Sequence, residues 1–355
     1  MKRGKIIVLT PYYPPIKGGV SSYVSNLVSK LDYFNFDTKV ITRNGNNGKN
    51  TYVVNQKAYF VIKSILILYR YKPNIIHAHS NWYTLTPSVI YKLLNPKTRL
   101  IFTFHTEPID KIKSLKKRIY QLLLSRCDVV TFVSIALKNK LEENFRMNTN
   151  TRVIYAGVTA NKVDKNEIRQ FTDEYLLENS RPIISFVGPL VLKQKVEGIK
   201  ILIRAFKIVK ERYPDAKLLI IGDGKYKVEL EQLCKKIEIY DIVFTGFLDN
   251  VFVPLELTDI YTHITLQEGF PISLLEAMSI GKPVIATIVG GVPEIIVNYE
   301  NGILTEADPE IIGRNIISLY EDKIKMKIIG EKARTTIEKR YDWESITKEY
   351  INIYI

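Results

Sequence analysis

Hydrophobic positions along this chain fall into two kinds of run. Short apolar runs bounded by Gly, Pro or Asn read as buried strands, and stretches with apolar residues three and four apart read as helices. Strands are expected at Lys5–Leu9, Thr38–Thr42, Tyr52–Val54, Asn74–His77, Arg99–Phe104, Val129–Val133 and Arg152–Tyr155. Helical spacing fits Val20 to Leu31 and Tyr59 to Tyr71 between them. Ala160 to Pro182 is polar and weakly periodic and reads as an interdomain linker. The alternation then resumes. Strands are expected at Pro182–Val187, Lys217–Ile221 and Ile242–Phe244, with helices at Lys200–Tyr213 and Tyr226–Ile237. Strands alternating with helices predict doubly wound parallel sheets, and two such series predict two domains, 1–160 and 181–337. The tail, Glu338 to Ile355, reads as one helix with Trp343, Ile346, Tyr350 and Ile351 on its buried side.

Composition changes this picture little, and charge changes it more. At 355 residues, with 46% hydrophobic and 25% charged residues, the chain has room for two ordinary cores. Two distant cysteines, Cys127 and Cys234, argue against a disulfide framework or a zinc cluster and suit a reducing compartment. The basic N-terminus leads into a strand-like run rather than a signal peptide, and the most apolar segment, Ala58 to Leu68, is interrupted by Lys63 and too short to span a bilayer. A cytoplasmic location is expected. The net charge of +14 is uneven: residues 1–150 carry 24 Lys and Arg against 7 Asp and Glu, and the rest 27 against 30. A half at +17 favours anionic partners such as acidic phospholipid, a polyprenyl phosphate or nucleic acid. Ile109 to Leu124 adds an apolar stripe beside Lys113, Lys116 and Lys117. That is the pattern either of a solvated surface helix or of a peripheral contact with the inner face of the cell membrane.

Candidate chemistry concentrates in Glu268-Gly-Phe-Pro-Ile-Ser-Leu-Leu-Glu276. A β-rich run, Asp259 to Leu266, leads into it. Gly269 permits a sharp turn, Pro271 suits the first turn of a helix, and Ile272 to Ser279 continues helically until Gly281 and Pro283. A helix start attracts phosphate, and Glu268 and Glu276 flank this one, so a ligand bearing both phosphate and hydroxyl groups fits. A second glycine turn, Gly18-Gly19, follows the first strand and precedes a helix. His77, His79 and His105 stand at strand ends, where open parallel sheets bind ligands. Their spacing lacks the Cys or carboxylate partners of a zinc site, and for His77 and His79 a plain hydrogen-bonded role competes. His263 reads as structural.

The string from Glu268 to Glu294, with Gly281, Pro283 and Gly290-Gly291, resembles the E-x7-E signature of the retaining family 4 glycosyltransferases, the glycogen synthase/mannosyltransferase type. Val187-Gly188, Gly222-Asp-Gly224 and Phe244-Thr-Gly246 resemble further segments of that family in the same order. The resemblance implies the GT-B fold: two Rossmann-like domains with a cleft between them and a last helix, about 338–355, crossing back to the N-terminal domain. It implies transfer of a sugar from a UDP- or GDP-linked donor to a saccharide or lipid-linked acceptor, with neither cofactor nor metal. Glu268 and His105 would then lie by the reacting sugar, Glu276 by the ribose hydroxyls, and Gly18 and Gly19 by the diphosphate. Gly269, Phe270, Pro271 and Ile272 would complete the donor site. The chain departs from the family pattern where two cations are expected after Gly188: Pro189 takes one place and Glu197 the other, leaving Lys193 and Lys195 as substitutes. The alternatives are a sugar-nucleotide epimerase on the same fold and a non-catalytic nucleic-acid or membrane-binding protein. No RNA-binding signature supports nucleic acid.

Overall fold

The computed structural model describes residues 3–106, 114–145 and 149–355. They divide into two units, Met1–Gly157 with Trp343–Ile355, and Val158–Asp342.

The first unit is built on seven strands: β1 (Lys5–Tyr12), β2 (Asp37–Asn44), β3 (Thr51–Val53), β4 (Ile75–His79), β5 (Arg99–Phe104), β6 (Val129–Phe132) and β7 (Asn150–Val153). They are all parallel, in the order β3-β2-β1-β4-β5-β6-β7. Ile6 to Leu9 and all of β4 are buried. A parallel sheet needs cover on both faces, and the helices between strands supply it: α1 (Gly19–Tyr33), α2 (Lys57–Tyr71), α3 (Trp82–Leu94), α4 (Ser114–Leu124) and α5 (Ile135–Asn144). The expected stripe at Ile109–Leu124 lies partly outside the described residues. In the described part, Ile119 and Leu122 are exposed.

The second unit opens with α6 (Lys165–Glu174) and runs through β8 (Ile183–Val187), α7 (Lys193–Arg212), β9 (Lys217–Ile221), α8 (Lys227–Lys236), β10 (Ile242–Gly246), α9 (Phe252–Leu257) and β11 (Ile260–His263). It continues through α10 (Ile272–Ser279), β12 (Val284–Thr287), α11 (Val292–Ile295), β13 (Ile303–Thr305), α12 (Pro309–Glu321) and α13 (Lys323–Arg340). Its six parallel strands run β10-β9-β8-β11-β12-β13. Phe186, Phe206, Leu218, Ile220 and Ile285 centre the core, and each fully buried side chain of this size stabilises by roughly 1.5–3 kcal/mol. In each sheet the strand order reverses once, between β1 and β4 and between β8 and β11. Ligands of open α/β sheets bind beyond the carboxyl ends of strands at such a reversal.

Three local expectations are corrected. The stretch read as a linker contains α6, started by a capping box between Asp164 and Glu167, and it belongs to the second unit. Helix α7 begins at Lys193 rather than near Lys200, because Val196 and Ile199 bury on the same side as Leu202 and Ile203. Gly198, inside this helix, is there for close packing: a Cβ would clash with the Ile264 carbonyl oxygen. The tail is two helices rather than one. The Tyr341 carbonyl accepts the Val158 N–H at 2.8 Å, so the backbone breaks before α14 (Trp343–Tyr354). Helix α14 then packs in the first unit with Trp343, Ile346, Tyr350 and Ile351 buried.

Candidate functional site

The second unit's reversal point carries an ionic cluster. Strand β11 ends at His263, and the chain turns through Glu268, Gly269, Phe270 and Pro271 into α10. Three backbone contacts fix this turn. Gly290, at φ +51, lies where a Cβ would meet the Glu268 carbonyl oxygen at 1.8 Å. The Gly291 N–H donates to the Gly269 carbonyl at 3.1 Å, and the Leu266 N–H donates to the Gln194 carbonyl at 3.2 Å. The last contact, with the close approach of Gly198, sets the first turn of α7 beside the loop. Lys195 Nζ therefore reaches Glu268 Oε2 at 2.8 Å.

His263 completes the cluster. Its Nε2 lies 3.0 Å from Glu268 Oε2, and its Nδ1 lies 3.2 Å from Tyr261 Oη, which donates to Ser273 Oγ at 3.0 Å. Glu268 Oε1 accepts the Gly269 N–H at 3.1 Å. Burial alone would raise the Glu268 carboxyl, but Lys195 and His263 outweigh it and hold the group down at about 2. Burial lowers His263, so its ring is neutral near pH 7 and orients the carboxylate. Sequence reasoning gave His263 only a structural place. Its signal was its position, five residues before Glu268 at the end of the same strand.

The other expected residues divide. Of the two candidate lysines, Lys195 is the one set against Glu268. Glu197 turns away and pairs with Lys200 at 2.8 Å, and Lys193 is exposed with no ion pair among the described residues. Glu276 sits one turn into α10, partly buried. No described residue donates to its carboxylate, and burial pushes it up to about 7. Not all the amides expected to hold phosphate are available. The Gly269 N–H is taken by Glu268, and Pro271 has none. The amides of Ile272 and Ser273, on the first turn of α10 with no side-chain cap, are unclaimed among the described residues. Phe270 is buried, 5.6 Å from the Tyr341 ring.

The first unit's reversal point is neutral. Gly18, at φ +140, caps α1 with no side-chain partner and has open space where a Cβ would stand. Gly19 is exposed. His77 is saturated, with Nδ1 2.8 Å from Tyr354 Oη and Nε2 2.6 Å from Thr103 Oγ1. His79 Nδ1 lies 3.0 Å from His105 Nε2, and His79 Nε2 is buried without a partner among the described residues. The Tyr23 ring stands edge-on to His105 at 4.6 Å, and its hydroxyl lies 2.6 Å from Tyr350 Oη. Burial lowers all three histidines, His77 and His105 to about 3 and His79 well below its usual range. Of the three, His105 keeps a slight exposure of 7%. Among the described residues no three His, Cys, Asp or Glu side chains converge on a metal position.

Comparison with known proteins decides the family. Residues 164–336 match "Glycosyl transferases group 1" and residues 17–162 match "Glycosyltransferase Family 4". The N-acetyl-alpha-D-glucosaminyl L-malate synthase of Bacillus anthracis is 30% identical over 287 residues, 79% of this chain and 74% of that protein. The chain is a family 4 glycosyltransferase. Another relative of this family 4 protein is a GDP-mannose-dependent phosphatidylinositol monomannoside mannosyltransferase of Corynebacterium glutamicum, 24% identical over 98% of this chain and 97% of its own. The fold is GT-B: HepE of Anabaena, solved in complex with UDP-glucose, superposes with a TM-score of 0.83 over 99% of both chains at 22% identity. Among the described residues of this family 4 chain, no helix is long and apolar enough to cross a membrane.

Proposed function

We propose that this glycosyltransferase moves a sugar from a nucleoside-diphosphate donor to an acceptor hydroxyl with retention of the anomeric configuration and without a metal ion. The observation that carries the reading is the Lys195–Glu268–His263 cluster beside the uncapped start of α10. In this reading the donor diphosphate lies at the Ile272 and Ser273 amides. Lys195 stabilises the charge that grows there as the bond from C1 to the phosphate oxygen breaks. Glu268, kept ionised and aimed by its partners, accepts hydrogen bonds from the sugar. Glu276, with no donor among the described residues, takes the ribose hydroxyls. The acceptor oxygen bonds to C1 on the face the diphosphate leaves, and its proton passes to the departing phosphate oxygen. His105, neutral, offers a hydrogen bond to a sugar or acceptor oxygen rather than acting as a base near pH 7.

The donor and acceptor classes are supported by two similar proteins, HepE, solved with UDP-glucose, and the Corynebacterium phosphatidylinositol monomannoside mannosyltransferase. The +17 half supports a lipid-linked acceptor at an anionic membrane face. A screen of UDP-, GDP- and ADP-sugars by thermal shift identifies the donor. Proton NMR of the first product formed then reads its anomeric configuration. An inverted product overturns the retaining mechanism, and activity lost in EDTA and restored by Mg²⁺ or Mn²⁺ overturns the metal-free one.

A further inference from the structure

Helix α2 has two apolar faces, and the first unit uses only one. Phe60, Ser64 and Leu68 are fully buried against the unit. About half a turn round the same helix, at 3.6 residues per turn, stand Tyr59, Ile62, Leu66 and Tyr69. Their spacing of three, four and three puts them in one line. They are exposed by 53%, 60%, 64% and 41%. Single exposed apolar residues need no explanation, but four in line on one helix do. Lys63 and Arg70, seven residues apart, border the line on one side, and Lys63 Nζ lies 5.7 Å from the Tyr59 ring centroid. Lys57 and Lys72 stand exposed at the helix ends.

The surrounding sequence is charged one way. From Thr38 to Thr106 there are 69 residues with ten Lys or Arg and no Asp or Glu. Two copies of this face would bring like charges together, which disfavours self-association. An aliphatic line offers nothing to a nucleic-acid backbone. An anionic bilayer offers both halves of the match: acyl chains for Ile62 and Leu66, an interfacial layer for the two tyrosine rings, and lipid phosphates for the cations.

We propose that α2 is the surface by which this protein docks on anionic membranes, its Tyr59–Ile62–Leu66–Tyr69 line entering the interface and Lys63 and Arg70 resting on lipid phosphates. The proposal deepens the membrane-acceptor reading and rests on it. It places the contact on α2, not on the basic stretch that ends in α4.

The test is co-sedimentation of the full chain with phosphatidylglycerol and with phosphatidylcholine vesicles, at low and physiological salt. The expected result is binding to phosphatidylglycerol vesicles only, weakened by salt and lowered at least ~10-fold by Ile62→Glu with Leu66→Glu. Lys63→Gln with Arg70→Gln weakens it less, and Lys117→Gln with Arg118→Gln on α4 hardly at all. Circular dichroism checks each fold. If the glutamate pair fails to fold, Ile62→Ser with Leu66→Ser carries the same comparison. Transfer to a water-soluble acceptor fragment is unchanged in the α2 variants. Anionic binding that survives the α2 changes and is lost with the α4 changes overturns the α2 assignment and leaves the membrane reading standing. No binding of the unmodified protein to either vesicle overturns both. A dimer in light scattering that Ile62→Glu with Leu66→Glu dissolves makes the face a contact between copies, or with a partner protein if that protein co-purifies, and overturns the proposal.

Discussion

The two sheets reverse strand order in the same way and place opposite electrostatics at the reversal. Beyond β8 and β11 lie a buried ion pair and a carboxyl with no partner among the described residues. Beyond β1 and β4 lie three uncharged imidazoles and a chain of hydroxyls. The same scaffold therefore makes one site that manages charge and one that offers hydrogen bonds without charge. The difference comes from side chains rather than topology: Lys195 is within reach of Glu268 at 2.8 Å, whereas among the described residues the histidines of the first unit meet hydroxyls and each other. Burial in the first case is offset by a counter-charge, and in the second it removes the charge.

Breaking the ion pair is the harshest test of this contrast. Lys195→Met leaves Glu268 buried and unpaired, so a loss of about 3 kcal/mol in unfolding stability is expected, with turnover down roughly 100- to 1000-fold. Adding Glu268→Gln to Lys195→Met returns most of the stability and none of the activity. Denaturation curves of the three variants separate the two effects, and stability unmoved by Lys195→Met removes the pair from the site's energetics. Next comes His105→Ala, for which turnover falls about 100-fold with little change in donor affinity. Its pH profile adds a sharper point. Because His105 is held near 3, no ionisation between pH 5 and 8 in kcat is attributable to it, and a limb in that range that disappears in His105→Ala contradicts the neutral-site description.

Glu276 separates binding from chemistry. Glu276→Ala is expected to weaken nucleotide-sugar binding roughly 10- to 100-fold, the worth of hydrogen bonds to a charged group, and to change turnover little. Its carboxyl is raised to about 7, and in the proposed donor pose only the ionised form would accept two ribose hydroxyls. Affinity measured by calorimetry should therefore climb as pH rises through about 7, and Glu276→Gln should flatten that dependence. The sign for stability is opposite. A raised carboxyl favours the folded chain below that value and loses the advantage as pH rises through it. For Glu268, held at about 2, the contribution is present above the ordinary carboxyl range and is lost as pH falls towards 2. The smallest expected effect is that of EDTA, which should leave the rate unchanged.

Much of this was legible beforehand for stated reasons. Strands buried on both faces leave continuous apolar runs, so the strands of the first sheet, β8 to β11 of the second and the turn from Glu268 into α10 could be read directly, whereas β12 and β13 were not among the expected strands. Helix α3 could not, because Pro87 sits inside it and normally argues against a helix. Helix α6 was hidden by a polar face, although Asp164 and Glu167 spell its start. The ion pair was half legible. Lys195 was one of two candidate cations, and the choice depended on α7 starting at Lys193 rather than near Lys200. The orienting role of His263 depended on the same loop closing over it. The exposed line on α2 looked like ordinary core periodicity, because sequence alone does not say which of two apolar faces is covered.

The return of α14 to the first unit has a consequence for how the molecule is made. Tyr350 and Tyr354 supply hydroxyl partners to Tyr23 and His77, and Trp343 packs so closely on Gly157 that a Cβ there would meet it at 2.8 Å. These residues are translated after the whole of the second unit, Val158–Asp342. The unit translated first is therefore the one finished last, while the second unit has its whole sequence available earlier. A chain that stopped at Asp342 would carry the whole second unit and a first unit whose innermost hydroxyl and imidazole groups lack their partners. Quality control acting on exposed core would then reject truncated chains through their oldest part.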